Sequence, residues 1–455
     1  MSDTQTNNNG NGIAPTSPDG RIFGTLSYIL MWWSALTVIQ IFALGQGLLP
    51  PIGRLNITQA FMVMITAGAV FVVALSLNGR AGLKYGIPFS IQTRTSFGVR
   101  GSTIAEFLRA LPALIWYGIG SWIAALAIDG ILKQAVGFST PVSKYVWFVA
   151  LQVIQTFLAY RGIKMVKAFS VVGSVIIVFV KIYLLVHVLA TYGFHVKSSW
   201  TTTGTWGAPF WEGLTSSIGV LAAVALNISD ITRHLVRSER ANWLGHLLGV
   251  LPPWFFMLFL GMAASLALGI WDPVEAFMQL SPNRFVMFVL LVLILVAQIT
   301  TNLTINIMPP ALVFVSTFRM SWGKGVLLTS VLGTLTFPWL LMANSKAFFG
   351  FILYYSAFFG PILGVMLADY YVVRRGELEV AELYIDGPDS PYWYNGGFNI
   401  AGLLAVFIPG IITMIWCLSV SWLIGVPAGF VLYLLLRRLS IDVSQRLARP
   451  VVSAE

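Results

Sequence analysis

The sequence predicts an all-α membrane protein of twelve transmembrane helices: two inverted five-helix repeats with broken first and sixth helices, followed by two further helices. Three observations carry this reading. The 455-residue chain is 57% hydrophobic and 10% charged, where soluble domains hold about 25% charge. Its apolar runs are continuous and exceed the ~18 residues that a spanning helix needs, whereas barrel strands would alternate. Polar interruptions recur five spans apart, in the first and sixth spans and in the third and eighth; this is the trace of an inverted repeat with its site near the bilayer midplane.

Residues 1–20 are rich in Asn, Gly, Thr and Ser and read as a disordered cytoplasmic tail, with no cleaved signal peptide. The first repeat is expected over 21–191. Its first span, 26–49, carries Ser34, Thr37 and Gln40 in its middle, and Gly45-Gln46-Gly47 weakens the helix. A second span at 57–77 leads into a basic, glycine-bearing loop over 78–102 in which Pro88 breaks any helix. The third span, 103–132, sets Glu106 and Arg109 at i, i+3, a spacing that lets them pair. Asp129 lies toward its other end, as a proton carrier or facing water. Spans four and five follow at 146–160 and 166–191, and Lys181 in the fifth faces protein or snorkels.

The second repeat is expected over 192–373. In its first span Gly213, Ser216, Ser217 and Gly219 suit an unwound centre, and Asn227 and Asp230 suit a gate or helix-end role. Spans seven to ten fall at 247–270, 285–318, 326–343 and 348–373. A cytoplasmic loop over 374–396, two helices within 397–437 and a tail over 438–455 complete the chain.

The net charge of +10 sits in short loops between apolar spans, where it orients the chain and gives no reason to expect nucleic acid. Loops after even-numbered spans, with Arg80, Lys84, Arg94 and Arg100 among their cations, are richer in Lys and Arg than loops after odd-numbered ones, so both termini are expected in the cytoplasm. The expected location is the inner or plasma membrane, crossed many times. A single cysteine, Cys417, excludes an internal disulfide and a cysteine metal cluster. No HExxH, nucleophile elbow or carboxylate pair at membrane depth is present, so no enzyme and no cofactor is expected. A channel or facilitator for small polar solutes is the alternative class.

The most informative stretch is 297–310, AQITTNLTINIMPP, which follows a strongly apolar run. Ala297, Thr300 and Thr301 share one helix face, while Gln298, Asn302 and Asn306 form an amide stripe beside it. Such groups either bond to neighbouring helices or build a cation site beside a polar-substrate site. Hydroxyls and unwound carbonyls suit a hard cation.

Five segments in order, KYGIPFSIQTRTSFGVRGS, WYGIGSWIAALAID, LNISDITRH, TTNLTINIMPPA and GPILGVMLADYYVVRRGELEVAELY, make the chain resemble the nucleobase–cation symport-1 family of cytosine permeases, allantoin permeases and hydantoin transporters. The resemblance implies the LeuT-like five-plus-five fold and import of a planar nitrogen heterocycle, a nucleobase or cyclic ureide, with sodium or a proton. It implies that Trp116 stacks on the substrate and that Asn306 hydrogen-bonds it, with Asn302 either a second ligand or a helix-to-helix bond. It implies a cation held by Ala297, Thr300 and Thr301 together with span-one carbonyls near Trp33 and Leu36. Two positions depart from the pattern of the hydantoin and allantoin members. Gly120 stands where they place a glutamine, and Leu221 stands where span six offers an aromatic ring, with Gly219 beside it.

Overall fold

The computed structural model describes residues 13–36, 38–161, 182–193 and 203–447. The described residues form a succession of helices: α1 Thr25–Leu36, α2 Ile39–Gln46, α3 Ile57–Asn78, α4 Arg80–Tyr85, α5 Phe89–Phe97, α6 Ser102–Val136 and α7 Ser143–Arg161. Then come α8 Ile182–Tyr192, α9 Ala208–Leu226, α10 Ser229–Thr232, α11 Glu239–Leu268, α12 Pro273–Leu280 and α13 Arg284–Thr301. The last are α14 Met308–Phe318, α15 Trp322–Thr334, α16 Pro338–Leu341, α17 Ser345–Leu367, α18 Ile400–Trp416 and α19 Ser421–Leu447. Among the described residues seven helices are long and apolar enough to cross a membrane, or eight if the bent pair α1 and α2 is one span. Helix α8 belongs to the expected fifth span; Lys181 lies outside the described residues.

Side-chain caps start several of these helices where the sequence leaves a polar residue before an apolar run. Asn56 accepts from the Gln59 backbone N–H at 2.9 Å while the Gln59 side chain accepts from the Asn56 N–H at 3.2 Å, a reciprocal cap on α3. Asn283 and Asn344 cap α13 and α17 from one side only, each accepting a backbone N–H at 2.9 Å.

Packing sorts the spans into two sets. Helices α1 and α2 lie on α11, and α3 packs on α9 and α11, which joins spans one, two, six and seven. Helices α7, α13 and α14 lie on α6, and α15 packs on α7 and α14, which joins spans three, four, eight and nine. Each set thus pairs two spans of the first repeat with their counterparts five spans later. Helix α17 bridges from α9 to α18 and α19.

Both expected helix breaks move. The first falls between α1 and α2, which are bent by 57°, and Val38 there is extended at φ −96°, ψ 148°. Neither Gly45 nor Gly47 makes the break in span one: Gly45 lies inside α2 and Gly47 caps its end. They admit a neighbour: a Cβ on Gly45 would stand 2.2 Å from the Leu258 carbonyl oxygen, and one on Gly47 would stand 2.7 Å from Phe349. In the same way α9 runs unbroken through Gly213, Ser216, Ser217 and Gly219, and its interruption comes at Asn227, before α10. In apolar surroundings small residues let helix backbones approach closely, which is their use here.

The contact between α2 and α11 is reciprocal, since a Cβ on Gly261 would stand 2.0 Å from the Phe42 carbonyl oxygen. Gly261→Val is therefore expected to cost more than ~2 kcal/mol by overpacking against backbone that cannot yield. Gly350→Ala, which meets nothing within 4 Å, should be neutral; melting of the two detergent-purified variants by fluorescence-detected size exclusion measures the difference.

Residues 13–20, expected within the disordered tail, are docked. The Thr16 N–H donates to the Gly86 carbonyl at 2.9 Å and the Tyr384 hydroxyl donates to the Ile13 carbonyl at 2.8 Å; just after this stretch Phe23 pairs with Leu235 as a short bridge. Composition concealed this, because these contacts use backbone groups that any residue carries.

Candidate functional site

The polar stretch of span eight changes helical pitch where its amides lie. Between α13 and α14 the residues Asn302–Ile307 form a π turn. Pro309 and Pro310 supply no N–H to the carbonyls four residues before them, and a wider turn accommodates that loss. Asn302 is fully buried and Asn306 is 8% exposed. Asn306 Nδ2 donates to Asn302 Oδ1 at 3.0 Å. Asn302 Nδ2 in turn donates to the Tyr117 carbonyl at 3.2 Å, to Ser121 Oγ at 3.2 Å and to Gln155 Oε1 at 3.0 Å. Of its two expected alternatives Asn302 thus makes the helix-to-helix bond, to α6 and α7, while also touching Asn306.

Gly120 explains how Asn302 reaches α6. A Cβ at Gly120 would stand 2.5 Å from Asn302 Oδ1, so the missing side chain is the seat of the amide. Trp116, one turn before Gly120 on the same helix and 8% exposed, meets Phe351 and Phe348 of α17 edge-on, at ring-centroid distances of 5.3 and 5.9 Å. These span-ten rings stand beside Trp116 on its α17 side, and sequence reasoning did not single them out. Leu221 is buried at 5% exposure on α9. Gly219 is used for packing: the Tyr355 hydroxyl donates to its carbonyl at 2.9 Å, and a Cβ there would stand 2.4 Å from Ile352 and Ser356.

The proposed cation ligands are assembled only in part. Ala297, Thr300 and Thr301 share a half-buried face of α13. The Thr300 hydroxyl donates to the Val296 carbonyl at 2.9 Å and to the Ala297 carbonyl at 3.1 Å, so two of the three bond to each other. Leu36 ends α1 at the break, whereas Trp33 sits a turn earlier and its indole N–H donates to the Leu248 carbonyl of α11 at 2.9 Å. What joins span one to span eight is a pair of amides: Gln40 Nε2 donates to Gln298 Oε1 at 2.8 Å, and Gln298 Nε2 returns the bond at 3.3 Å. Gln40, Ser121 and Gln155 carried one signal in the sequence, a polar side chain inside an apolar run.

Two further expectations change. Glu106 and Arg109 do not form the salt bridge their spacing allows; Arg109 Nη2 turns to Asn227 Oδ1 at 3.5 Å, and Asn227 Nδ2 donates to Asp230 Oδ2 at 3.2 Å. Asp230 Oδ1 accepts the Phe89 N–H at 2.8 Å, which ties the break after α9 to α5. Asp129 serves the turn between α6 and α7, accepting from Ser139 at 2.7 Å and from Ser143.

The chain was compared with known proteins. Residues 15–437 match the family model described as permease for cytosine/purines, uracil, thiamine, allantoin. The allantoin permease of Bacillus subtilis (strain 168) is 27% identical over 94% of this chain and 92% of that protein. The purine-uracil permease NCS1 of Arabidopsis thaliana is 30% identical over 92% of this chain and 73% of that protein. Among solved structures, the inward-facing conformation of Mhp1 superposes with a TM-score of 0.83 at 25% identity, covering 95% of this chain and 94% of that one. Mhp1 in a closed conformation with bromovinylhydantoin bound, described as a nucleobase-cation-symport-1 family transporter, gives 0.79 at 24% identity, with 95% and 96% covered. With its helices sorted into two sets five spans apart and its span-eight amides carried on a π turn, the chain is a multi-pass membrane transporter and no enzyme, and it belongs to the cytosine/purine, uracil, thiamine and allantoin permeases of the nucleobase–cation symport-1 family.

Proposed function

We propose that this permease imports a planar nitrogen heterocycle, a nucleobase or cyclic ureide, together with a cation by alternating access, and that sodium is the coupling ion. The observation that carries the substrate class is the Asn302–Asn306 pair seated on Gly120 one turn from Trp116. A flat, uncharged ring with urea-like edges needs an aromatic face and an amide offering both donor and acceptor. Trp116 and Asn306 provide one of each.

Sodium is favoured by the oxygen-only character of Ala297, Thr300, Thr301 and the Leu36 carbonyl at the end of α1. The basic loops after even-numbered spans favour cytoplasmic termini, and the two helix sets favour repeats over 21–191 and 192–373 with twelve crossings.

A thermal-shift panel tests this reading, because a ligand that binds only the folded protein raises its apparent stability by mass action. Uracil, cytosine, hypoxanthine, hydantoin and allantoin are screened with sodium and with choline in its place. At least one ring should raise the melting temperature by several degrees with sodium present, at about tenfold lower concentration than without it. A panel with no shift in either salt would overturn the substrate class; a shift that follows pH and ignores sodium would assign the coupling to protons.

A further inference from the structure

An asparagine amide is a donor at one end and an acceptor at the other, and a rotation of half a turn exchanges them. Which end meets a ligand depends on what holds the amide from behind. For Asn306 that is Asn302, and the polarity of Asn302 is fixed twice by groups that cannot invert. Its nitrogen faces the Tyr117 main-chain carbonyl at 3.2 Å, which only accepts. Its nitrogen also faces Gln155 Oε1 at 3.0 Å, and Gln155 is itself oriented, since its Nε2 donates to the Leu151 main-chain carbonyl at 3.2 Å and to Ser121 Oγ at 2.9 Å. Ser121 then passes its own proton to Gln152 Oε1 at 3.3 Å. The donors of Asn302, Gln155 and Ser121 all meet acceptors, and Asn302 Oδ1 is left pointing at Asn306.

We infer that Asn302 is a positioning residue that fixes the order of donor and acceptor which Asn306 shows to the substrate. With one N–H of Asn306 spent on Asn302 at 3.0 Å, its Oδ1 and its second N–H remain. That remainder matches a lactam edge, a ring N–H beside a carbonyl: the N–H donates to Oδ1 and the carbonyl accepts the second N–H. Reversing Asn306 would set its oxygen against Asn302 Oδ1, and two acceptors repel. Gly120 belongs to the same device, because any side chain there displaces the Asn302 amide. The substrate's edge chemistry is thereby selected through Asn302, which lies fully buried behind Asn306.

This inference rests on Asn306 contacting the substrate, and the experiment separates the two. Binding of uracil, and of 1-oxauracil and 3-oxauracil in which each ring N–H in turn becomes oxygen, is measured on the full-length protein and on Asn302→Ala and Gly120→Ala. Wild type should bind uracil at least ~10-fold more tightly than the analogue altered at the edge that faces Asn306. Both variants should bring that ratio below ~3-fold, since a released Asn306 can turn to suit either edge. Gln155→Glu keeps an acceptor toward Asn302 and should retain the wild-type ratio. An unchanged ratio in variants that still bind uracil would overturn the inference. A cycle of Asn302→Ala with Asn306→Ala in the ligand-free protein judges the pair without any substrate: the double variant should lose at least ~2 °C less in melting temperature than the two singles together. Additive losses there overturn the inference whatever the ligand, while non-additive losses with no binding of uracil to wild type would count against uracil as substrate and support the positioning role.

Discussion

Asn306→Ala is expected to lower initial uptake of the transported ring by about 10- to 100-fold at equal protein in the membrane, the range for deleting a buried polar contact whose partner cannot find water. Truncation removes the acceptor and donor that the proposed function assigns to the ligand, and it leaves Asn302 Oδ1 without the 3.0 Å bond that it now accepts. Asn306 is 8% exposed, so little solvent can replace the amide. Asn306→Asp separates the two losses: it keeps an oxygen for the ring but sets another against Asn302 Oδ1, and should fall between alanine and wild type. Uptake into proteoliposomes, normalised to reconstituted protein, is the measurement. Near-normal transport by Asn306→Ala would remove this residue from the site.

Asp369→Ala should have the largest effect on stability, a loss of roughly 3–5 kcal/mol, the cost of leaving a buried charge without its partner. Asp369 is fully buried in the π turn Ala368–Val373 at the end of span ten. It takes Arg374 Nε at 2.8 Å and the Tyr433 hydroxyl of α19 at 2.7 Å, with Arg437 at 3.8 Å. Arg374 also donates to the Thr95 carbonyl at 3.1 Å and to the Tyr394 hydroxyl at 2.7 Å, so one carboxylate organises α5, α19 and the loop after span ten. Burial works against the Arg374 charge, but Asp369 and Tyr394 more than offset it and hold its pKa above the ordinary arginine value. A base whose pKa rises on folding stabilises the fold fully below its unfolded value, so this contribution stays constant across the physiological range. The variant should melt earlier and elute as a broader size-exclusion peak; Asp369→Asn, which keeps one acceptor oxygen and loses the charge, should be affected less. Equal melting of Asp369→Ala and wild type would show that the arginines find other partners.

The sequence disclosed the spans because a bilayer demands long apolar runs, and it disclosed the polar stretch of span eight because lipid tolerates no such side chains. Glycine was ambiguous. Gly45, Gly213 and Gly219 read equally well as helix breakers or as room for a neighbour, and only the positions of Leu258, Leu48 and α17 decide for the second. The break at Val38 had no glycine to announce it. The i, i+3 spacing of Glu106 and Arg109 likewise permitted a pair, but Asn227 at the break after α9 took the arginine. Asn302 and Asn306 were visible as a stripe, while their anchors on Tyr117, Ser121 and Gln155 depend on which helices touch, a long-range fact that no local pattern encodes.

The notched crossing of α2 and α11 bears on how such a molecule can change shape. Because the backbone of each helix fills the space left by a glycine of the other, the second half of span one cannot slide on span seven without collision, and the two must travel as one rigid body. The relative motion is then left to the seam with span eight, where Gln40 and Gln298 hold each other by two hydrogen bonds. At about 1 kcal/mol net for each bond, that seam is cheap to open. Because an amide accepts water or another amide equally well, parting the pair strands no group that needs a particular partner. The fold thus combines an incompressible joint with a seam that can open and close repeatedly.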